Sequence, residues 1–511
     1  MRKVLQFLFH RVVLVALCLV VQLAALLVMI LYFNNYFTYF YAGCIVISVL
    51  VTLYILNNKS NPAYKIAWLI PILLAPLFGG LFYLMFGANR MSTRQRRKMA
   101  LIGTRLRESL APADDIIADM AAVRPDAANQ SRYIQNYAAC PPYRGTQTEY
   151  LPLGEVKFQR MLEELRRAEH YIFMEYFIVE EGRMWSEILA VLEEKVRQGV
   201  DVRLLYDDMG PIMLLPPGFR RHVESLGIRC CVFNPFIPVL SVRMNNRDHR
   251  KICVIDGHTG ITGGINIGDE YINDYPKHGH WKDTSILLRG EAVWSLTVMF
   301  LTMWDYASGD VEDYEKYRPA VHRGAASADD GVVQPYTDSP LDGEPVGQTV
   351  YLNMISKAER YVYITTPYLI IDSEMTSALS NAAKAGVDVR IITPHVPDKW
   401  FVHAVTRSNY ETLVETGVKI YEYTPGFIHA KTFVADDEYA VVGTINLDYR
   451  SLFLHFECGA WLWRTKTVRH IREDFEKTLG VCEQITLEKC RAVKWYRRFG
   501  RSILRVFAPL M

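Results

Sequence analysis

The feature that most constrains the fold is an internal duplication in the part of the chain that follows residue 88. The segment Ala168–Phe173 resembles Ala358–Tyr363, and further along the chain Gly199–Leu205 resembles Gly386–Ile392. Strands that alternate with helices predict a partly parallel sheet covered by helices. We therefore expect two similar α/β domains with a site where they meet. Two stretches with helical spacing separate the strands of the copies: Trp185–Arg197 and Met375–Lys384.

Each copy also carries the same polar motif, in which a lysine, an aspartate and an asparagine follow a histidine at fixed distances. The surrounding residues are apolar and predict strands, where a period of two places each histidine and its lysine on the same face. A motif that occurs twice at matching offsets, each time within a matching repeat, indicates a site and not a chance match. The two sets are His249, Lys251, Asp256, Asn266 and His429, Lys431, Asp436, Asn446.

The chemistry of this motif pair suits transfer at phosphorus. Two histidines that face each other can divide acid and base duties near neutral pH. A neutral imidazole can attack phosphorus to form a covalent intermediate, while a protonated one donates a proton to the leaving oxygen. Two lysines and two asparagines can hold the phosphate oxygens. We expect no metal and no cofactor, because fixed cations take the role that a metal ion would have.

The motif pair is similar to that of the phospholipase D superfamily, and within it the chain resembles the bacterial cardiolipin synthases. The superfamily resemblance covers roughly residues 150–482. The narrower resemblance rests on Gly263–Tyr271, Trp281–Asp283 and Gly443–Ser451, and on the hydrophobic N-terminal spans described below. It implies an α/β fold in which two phospholipase D-like α/β sandwich domains stand in tandem, with the active site at their interface and transmembrane helices before them.

The resemblance also implies roles for individual residues. His249 is the expected nucleophile and His429 the expected general acid. Asp256 and Asp436 belong to the motif, but we expect them to support a strand and a loop. The candidate catalytic set is thus His249, Lys251, Asp256, His429, Lys431 and Asp436, and the candidate phosphate ligands are Lys251, Asn266, Lys431, Asn446 and Thr444.

A carboxylate is expected to orient each histidine through its other ring nitrogen. Glu457 lies 28 residues after His429, where the family usually has that acid. The same offset from His249 falls on Lys277, which cannot serve, so Asp283 is the expected substitute after an insertion. A second departure is Gly264, where many superfamily members have a hydroxyl residue that contacts phosphate.

The N-terminal region predicts a membrane anchor. No charged residue occurs from Val12 to Asn58, which accommodates spans at Val12–Phe33 and Phe37–Leu56, and a third uncharged span covers Ile66–Phe86. Each has about 20 residues, enough for a bilayer core of roughly 30 Å. The third span contains prolines and glycines, so that a full crossing and a re-entrant segment both stay open. The basic clusters around the spans disagree about orientation.

Length and charge fit this organisation. The net charge of +2 on 511 residues leaves no large positive excess for nucleic acid. Nine scattered cysteines without a C-x-x-C pair indicate neither a disulfide framework nor a zinc site. The expected divisions are a membrane anchor at 1–90, a connecting segment at 91–148, a first domain at 149–307, a linker at 308–346, a second domain at 347–482 and a basic amphipathic segment at 483–511.

The resemblance implies transfer of a phosphatidyl group from one phosphatidylglycerol to another, which gives cardiolipin and glycerol in a multi-pass protein of the cell membrane. The expected partners are these two lipids and the bilayer, with no nucleic acid. The apolar stretches Pro211–Pro217 and Pro235–Leu240, and the mixed basic and apolar stretch 494–507, either face the membrane or pack inside. A phospholipase D, a phosphatidylserine synthase and a non-enzymatic lipid-binding module are the alternatives, and a nuclease is the least favoured.

Overall fold

Two β-sheets, one for each copy of the repeat, dominate the computed structural model. The structure describes residues 37–58, 61–74, 93–235, 246–319 and 331–510, with isolated positions within 20–32 and 79–84. Most of the expected span Val12–Phe33 and most of the apolar stretch Pro235–Leu240 lie outside the described residues. Within these described ranges, no helix has both the length and the apolar character that crossing a membrane requires.

Five helices precede the first sheet. The third to fifth occupy the stretch expected as a connecting segment, and they pack on the main core through residues such as Leu110, Ile117 and Ile134. The first two pack on each other through Val51, Ile55 and Trp68. The five are α1 (Phe37–Asn57), α2 (Pro62–Leu74), α3 (Thr93–Ser109), α4 (Asp114–Val123) and α5 (Pro125–Ala138).

The first half contains a seven-stranded sheet with helices on both faces. In spatial order its strands are β1, β9, β7, β6, β2, β3 and β4, with β2, β3 and β4 parallel. The elements are β1 (Thr146–Leu151), α6 (Gly154–Arg166), β2 (Tyr171–Tyr176), α7 (Arg183–Arg197), β3 (Asp201–Asp207), α8 (Phe219–Ser225), β4 (Arg229–Phe233), β5 (Arg247–Asp248), β6 (Ile252–Ile255), β7 (Thr259–Gly263), β8 (His280–Lys282), β9 (Ser285–Gly290) and α9 (Val293–Ser308). Short 3₁₀ helices lie at Asp269–Ile272 and Tyr314–Tyr317.

The second half repeats this topology and adds one edge strand. Its strands follow the order β10, β17, β16, β15, β11, β12, β13 and β18, with β11, β12 and β13 parallel. The elements are β10 (Val332–Asp338), α10 (Val346–Lys357), β11 (Tyr361–Thr365), α11 (Ser373–Lys384), β12 (Asp388–Pro394), α12 (Trp400–Ser408), α13 (Tyr410–Glu415), β13 (Lys419–Tyr423), β14 (Gly426–Ile428), β15 (Thr432–Ala435), β16 (Tyr439–Gly443), α14 (Tyr449–Phe453), β17 (His455–Trp463), α15 (Thr467–Leu479), β18 (Cys482–Ile485), α16 (Leu487–Arg491) and α17 (Trp495–Phe507).

The stretch 308–346, expected to be a linker, contains a full strand of the second sheet. β10 pairs with β17 along its whole length, from Val332 opposite Trp463 to Asp338 opposite Glu457. β1 likewise starts at Thr146, ahead of the expected first boundary. The polar composition of 308–346 concealed this strand, because β10 alternates with Gln334, Pro335 and other residues of low strand preference.

The motif aspartates fasten the two sheets at equivalent places. Asp256 ends β6 with a φ of 52°, and Asp436 ends β15 with a φ of 56°. The Asp256 carboxylate accepts bonds of 2.8 Å from the backbone N–H groups of residues 169, 170 and 171, where β2 begins. Asp436 accepts bonds of 2.7–2.9 Å from residues 359, 360 and 361. Both aspartates therefore support the strand and loop, and they explain why the segments at 168 and 358 resemble each other.

Short strands join the halves. β5 of the first half pairs in parallel with β17 of the second, and β14 of the second half pairs in parallel with β8 of the first. One continuous core runs through both halves, from Phe173 and Ile252 in the first to Ile364 and Phe433 in the second. The halves are therefore built into each other, and the ends of the two short strands β5 and β14 lie at their junction.

Candidate active site

Each motif histidine directly follows a strand that pairs with the opposite half. His249 comes after β5, and its backbone N–H donates to the carbonyl of Phe456 in β17 at 2.9 Å. His429 comes after β14, and its backbone N–H donates to the carbonyl of Lys282 in β8 at 2.7 Å. The strand pairs fix both histidine backbones against the other half, so the two histidines depend on the interface for their position.

The carboxylates that orient the histidines are exchanged between the halves. Nδ1 of His249 lies 2.9 and 3.0 Å from the two oxygens of Glu457, and Nδ1 of His429 lies 2.6 Å from Oδ2 of Asp283. Both carboxylates are completely buried, while each histidine side chain keeps 9% of its surface exposed. Each acid fixes one ring nitrogen, which leaves Nε2 of both histidines for the substrate.

The exchange corrects the offsets used in the sequence analysis. Those offsets were counted within a half, which paired Glu457 with His429 and Asp283 with His249. The structure brings the same two acids to the histidines with the partners reversed. The reason is geometric. Glu457 lies on β17, which pairs with the strand that precedes His249, and Asp283 directly follows β8, which pairs with the strand that precedes His429.

The motif lysines lie beside the histidines in a buried environment. The Nζ atoms of Lys251 and Lys431 donate to the backbone carbonyls of His249 and His429, respectively. Burial lowers the pKa of Lys251 to about 8 and that of Lys431 to about 7. Two poorly solvated ammonium groups at one place favour an anion that comes between them.

Both histidines are held neutral at pH 7. Burial, together with the positive charge of Lys251, sets the pKa of His249 well below its usual value. Burial and Lys431 lower the pKa of His429 to about 4, although Asp283 opposes them. A neutral imidazole with Nδ1–H bonded to a carboxylate presents the lone pair of Nε2, which a nucleophile requires.

The predicted phosphate ligand Thr444 is placed differently. Its hydroxyl contacts Glu457, and it also accepts a bond of 3.0 Å from the backbone N–H of Cys458. Burial raises the pKa of Glu457, and the charge of Lys251 and the Thr444 hydroxyl oppose that rise by stabilising the carboxylate. Thr444 thus steadies the acid of His249.

Gly264, the equivalent of Thr444 in the first half, has the opposite function. A Cβ atom at this position would lie 2.1 Å from Oδ1 of Asp283. The departure from the superfamily pattern at Gly264 is therefore explained by space, because only glycine lets the Asp283 carboxylate reach His429.

The two motif asparagines also differ. Asn266 accepts a bond of 3.0 Å from the backbone N–H of Ile178 and donates at 2.8 Å to the Tyr271 hydroxyl. Asn446 is buried, and its Oδ1 has no hydrogen-bond partner. Both lie next to the site, and their role as phosphate ligands stays a prediction.

Sequence reasoning missed the residues that flank the histidines. The ring of His455 has its centroid 5.5 Å from that of His249, and the ring of Trp281 lies at the same distance from that of His429. Both residues precede an orienting acid by two positions on a strand. The period of two, which places them on the same face as Asp283 and Glu457, is the signal that would have found them.

One group of side chains in the described ranges could hold a metal ion, and it consists of His249, His455 and Glu457, with ligand atoms within 4.8 Å of one another. The nearby charges of Lys251 and Lys431 disfavour a cation at this place. The arrangement suits an anion better than a metal.

Two histidine–lysine pairs that meet across an interface, with each histidine oriented by a buried carboxylate, define a phosphotransfer site of the phospholipase D type. The family model described as "Cardiolipin synthase, PLD-like domain" matches residues 161–275 and 351–479. A second model, "Phospholipase_D-nuclease N-terminal", matches residues 46–87.

Relatives along the whole chain narrow this class. A cardiolipin synthase of Halalkalibacterium halodurans is 36% identical over 92% of this chain and 95% of its own length, and one of Geobacillus kaustophilus is 36% identical over 92% and 93%. A Streptococcus mutans protein without an assigned function is 42% identical over 90% of this chain and 99% of its own. The chain belongs to the bacterial cardiolipin synthases of the phospholipase D superfamily.

A solved structure supports the fold. The phosphatidylserine synthase of Haemophilus influenzae superposes with a TM-score of 0.55 at 16% sequence identity, covering 75% of this chain and 97% of that one. The similarity extends to the tandem arrangement of α/β domains.

Proposed function

We propose that this chain joins two molecules of phosphatidylglycerol into cardiolipin and glycerol through a phosphatidyl-histidine. The observation that carries the proposal is the pair of histidines at the interface, each bonded through Nδ1 to a carboxylate of the opposite half. Its membership of the cardiolipin synthases selects lipid transfer among the reactions that such a site can perform.

In the first step, Nε2 of His249 attacks the phosphorus of one phosphatidylglycerol. The phosphorus–oxygen bond to glycerol breaks, and His429 donates a proton to the departing oxygen. Lys251 and Lys431 balance the charge that develops on the phosphate oxygens. Glu457 stabilises the positive charge that the His249 ring acquires when its Nε2 bonds to phosphorus.

The substrate itself prepares the general acid. In the free protein His429 is neutral, because its pKa is about 4. A phosphodiester anion between Lys251 and Lys431 offsets their positive charge and raises the pKa of His429. Protonation of the acid is thereby linked to the presence of the lipid headgroup.

In the second step, the primary hydroxyl of another phosphatidylglycerol attacks the phosphatidyl group on His249. The bond from phosphorus to Nε2 breaks, and the hydroxyl proton passes to His429, which now acts as a base. Water competes with this hydroxyl. The small exposed fraction of both histidines reduces access of water and so favours a lipid that is delivered from a bilayer.

We infer further that the N-terminal region anchors this site in the membrane by crossing it more than once. The uncharged stretches at Val12–Phe33, Phe37–Leu56 and Ile66–Phe86 support this inference. α2 contacts the catalytic part, where Ala63 packs with Phe401 and Leu504. Asn61 also donates to Asp372 at 2.9 Å.

α17 is inferred to lie on the membrane surface next to this anchor. It packs on α12 and α2, yet leaves Trp495 (79% exposed), Phe499 (63%) and Ile503 (46%) in contact with solvent. Met213, in the first of the two apolar stretches, is also exposed. Apolar side chains next to arginines suit an anionic lipid surface.

The activity is tested with the purified full-length chain and phosphatidylglycerol alone in mixed micelles. Cardiolipin and glycerol should appear in equal amounts, and phosphatidic acid as the main product would instead indicate a phospholipase D. Rapid quenching with ³²P-labelled lipid should give labelled protein that is stable in base and labile in acid, as a phosphorus–nitrogen bond is. His249→Ala should give no labelled protein, and retained cardiolipin synthesis in that variant would refute the nucleophile.

The anchor is tested separately in membranes of cells that express the chain. Alkaline carbonate should leave the full chain in the membrane pellet, and removal of residues 1–60 should not release it if the third span also inserts. Extraction of the full chain by carbonate alone would refute the anchor.

A further inference from the structure

A cardiolipin synthase that acts on two identical lipids needs two places for a phosphate, and the motif lysines account for one. The acceptor lipid keeps its own phosphate while its terminal hydroxyl attacks. One glycerol links the two phosphates in the product, so the second phosphate site must lie next to His249. The surroundings of His249 beyond the motif residues are where this second site is expected.

Arg450 stands out there as a cation without a partner. Its Nε is buried and makes no hydrogen bond, and within the described ranges no acid lies within salt-bridge distance of its guanidinium. Burial lowers the pKa of Arg450, and Asp448 counteracts this. Asp448 is itself engaged at the start of α14, where it accepts a bond of 2.9 Å from the backbone N–H of Ser451. Arg450 is half-buried, and a partly desolvated guanidinium that no acid neutralises favours an anionic ligand.

His455 neighbours the nucleophile, with 5.5 Å between the ring centroids, and the charge of Arg450 acts on it. Neither of its ring nitrogens has a hydrogen-bond partner, and 11% of its side chain is exposed. Arg450, Lys251 and Lys399 all act on His455 as neighbouring positive charges. His455 is therefore neutral, with one N–H that is free to donate to an oxygen.

The first half provides an internal control for this reading. By the alignment of the two motif segments, Glu270 is the equivalent of Arg450, and Trp281 is the equivalent of His455. Glu270 is satisfied by Lys277 and Tyr275. The cationic, unpartnered group is thus specific to the side of the site that holds His249.

We propose that Arg450, with His455, forms a second phosphate subsite that binds the phosphate of the acceptor phosphatidylglycerol. This subsite rests on the transferase function proposed above. It holds an acceptor that carries a phosphodiester and directs its terminal hydroxyl to the phosphatidyl group on His249. An uncharged alcohol gains nothing from it.

The test compares two acceptors that compete for the same intermediate. The full-length chain is incubated with phosphatidylglycerol and radiolabelled glycerol, and cardiolipin and labelled phosphatidylglycerol are measured together. Both products arise from the same phosphatidyl-enzyme, so their ratio does not depend on the donor step or on the folded fraction. Arg450→Gln should lower the ratio of cardiolipin to labelled phosphatidylglycerol at least tenfold, and Arg450→Lys should lower it less.

The matched control is Arg464→Gln, which removes an arginine of the same half whose partner is Glu438 at 2.7 Å. Its product ratio should equal that of the unmodified chain. An unchanged ratio in Arg450→Gln, or a parallel fall of both products, would overturn the subsite. Absence of cardiolipin with the unmodified chain would instead refute the transferase function, so the two failures are distinguishable.

Discussion

The two halves place their motif histidines in equivalent positions but surround them with different chemistry. His429 is in contact with aromatic rings, with Trp281 at 5.5 Å and Phe427 at 5.9 Å between centroids. His249 has the ring of Phe177 at 5.1 Å, and it is also near His455, on which the charge of Arg450 acts. The backbone and the orienting acids repeat, whereas the residues around them do not.

This difference shows how a duplicated site can serve an unsymmetrical reaction. One histidine must carry the phosphatidyl group, and the other must exchange a proton with two successive alcohols. Apolar rings around His429 exclude water from the proton transfer. Charged groups around His249 suit a place where two phosphates come close together.

The largest expected effect tests whether the two acids serve different histidines. Glu457→Gln and Asp283→Asn should each reduce cardiolipin synthesis about 10³-fold, because an amide cannot hold the imidazole in the required tautomer. A phosphatidyl ester of p-nitrophenol separates them, since its leaving group needs no proton. Asp283→Asn should keep the burst of p-nitrophenol, and Glu457→Gln should lose it. Loss of the burst in both variants would contradict distinct roles.

The next effect concerns the residues that lie against these acids. Gly264→Ala should reduce activity about 10²-fold, because its Cβ displaces Asp283 and misplaces His429. Thr444→Ala should cost about tenfold through loss of one hydrogen bond to the Glu457 carboxylate. Steady-state kcat measures both, with Thr444→Ser as the control that retains the hydroxyl. A Gly264→Ala variant as active as the unmodified chain would refute the spatial explanation.

The pH profile sharpens the comparison of the two lysines. A lysine whose pKa is lowered is charged at low pH and loses its charge as the pH rises through that pKa. With Lys431 at about 7 and Lys251 at about 8, kcat/KM for phosphatidylglycerol should fall above about pH 7. Lys431→Arg should move this fall upward by about one pH unit, and Lys251→Arg should leave its onset unchanged. An identical shift in both variants would show that the halves titrate together.

The smallest effect on activity is expected where the halves are alike. Asp256→Asn and Asp436→Asn keep a residue that tolerates positive φ but weaken three backbone hydrogen bonds each. Each should lower the free energy of unfolding by about 2 kcal/mol, with kcat of the folded protein changed less than threefold. The thermal midpoint in detergent and the kcat after refolding-free purification measure these. A tenfold fall in kcat at full stability would make the aspartates part of the chemistry.

Much of the site follows from local sequence pattern. The motif spacing predicted that histidine and lysine share a face, and the repeat predicted α7 and α11 close to their observed bounds. The support given by Asp256 and Asp436 was also expected, because an aspartate after a strand suits a turn with positive φ.

The exchange of acids could not be predicted in this way. Offsets within a half carry no information about which strands pair across the interface, and the pairs β5–β17 and β14–β8 are only two and three residues long. Strand β10 was missed for a related reason, since its place next to β17 comes from tertiary pairing and not from its own composition. The lack of a partner at Arg450 is likewise a property of the assembled fold.

The exchanged acids have a consequence for the origin of the duplication. A protein that consisted of one such half would have a histidine without its carboxylate and a carboxylate without its histidine. Two copies related by a two-fold axis would supply each other, since a contact of this symmetry presents the same surface from both sides. An ancestor with a single motif was therefore already a dimer. Fusion of its two copies freed positions such as 270 and 450 to diverge in opposite directions.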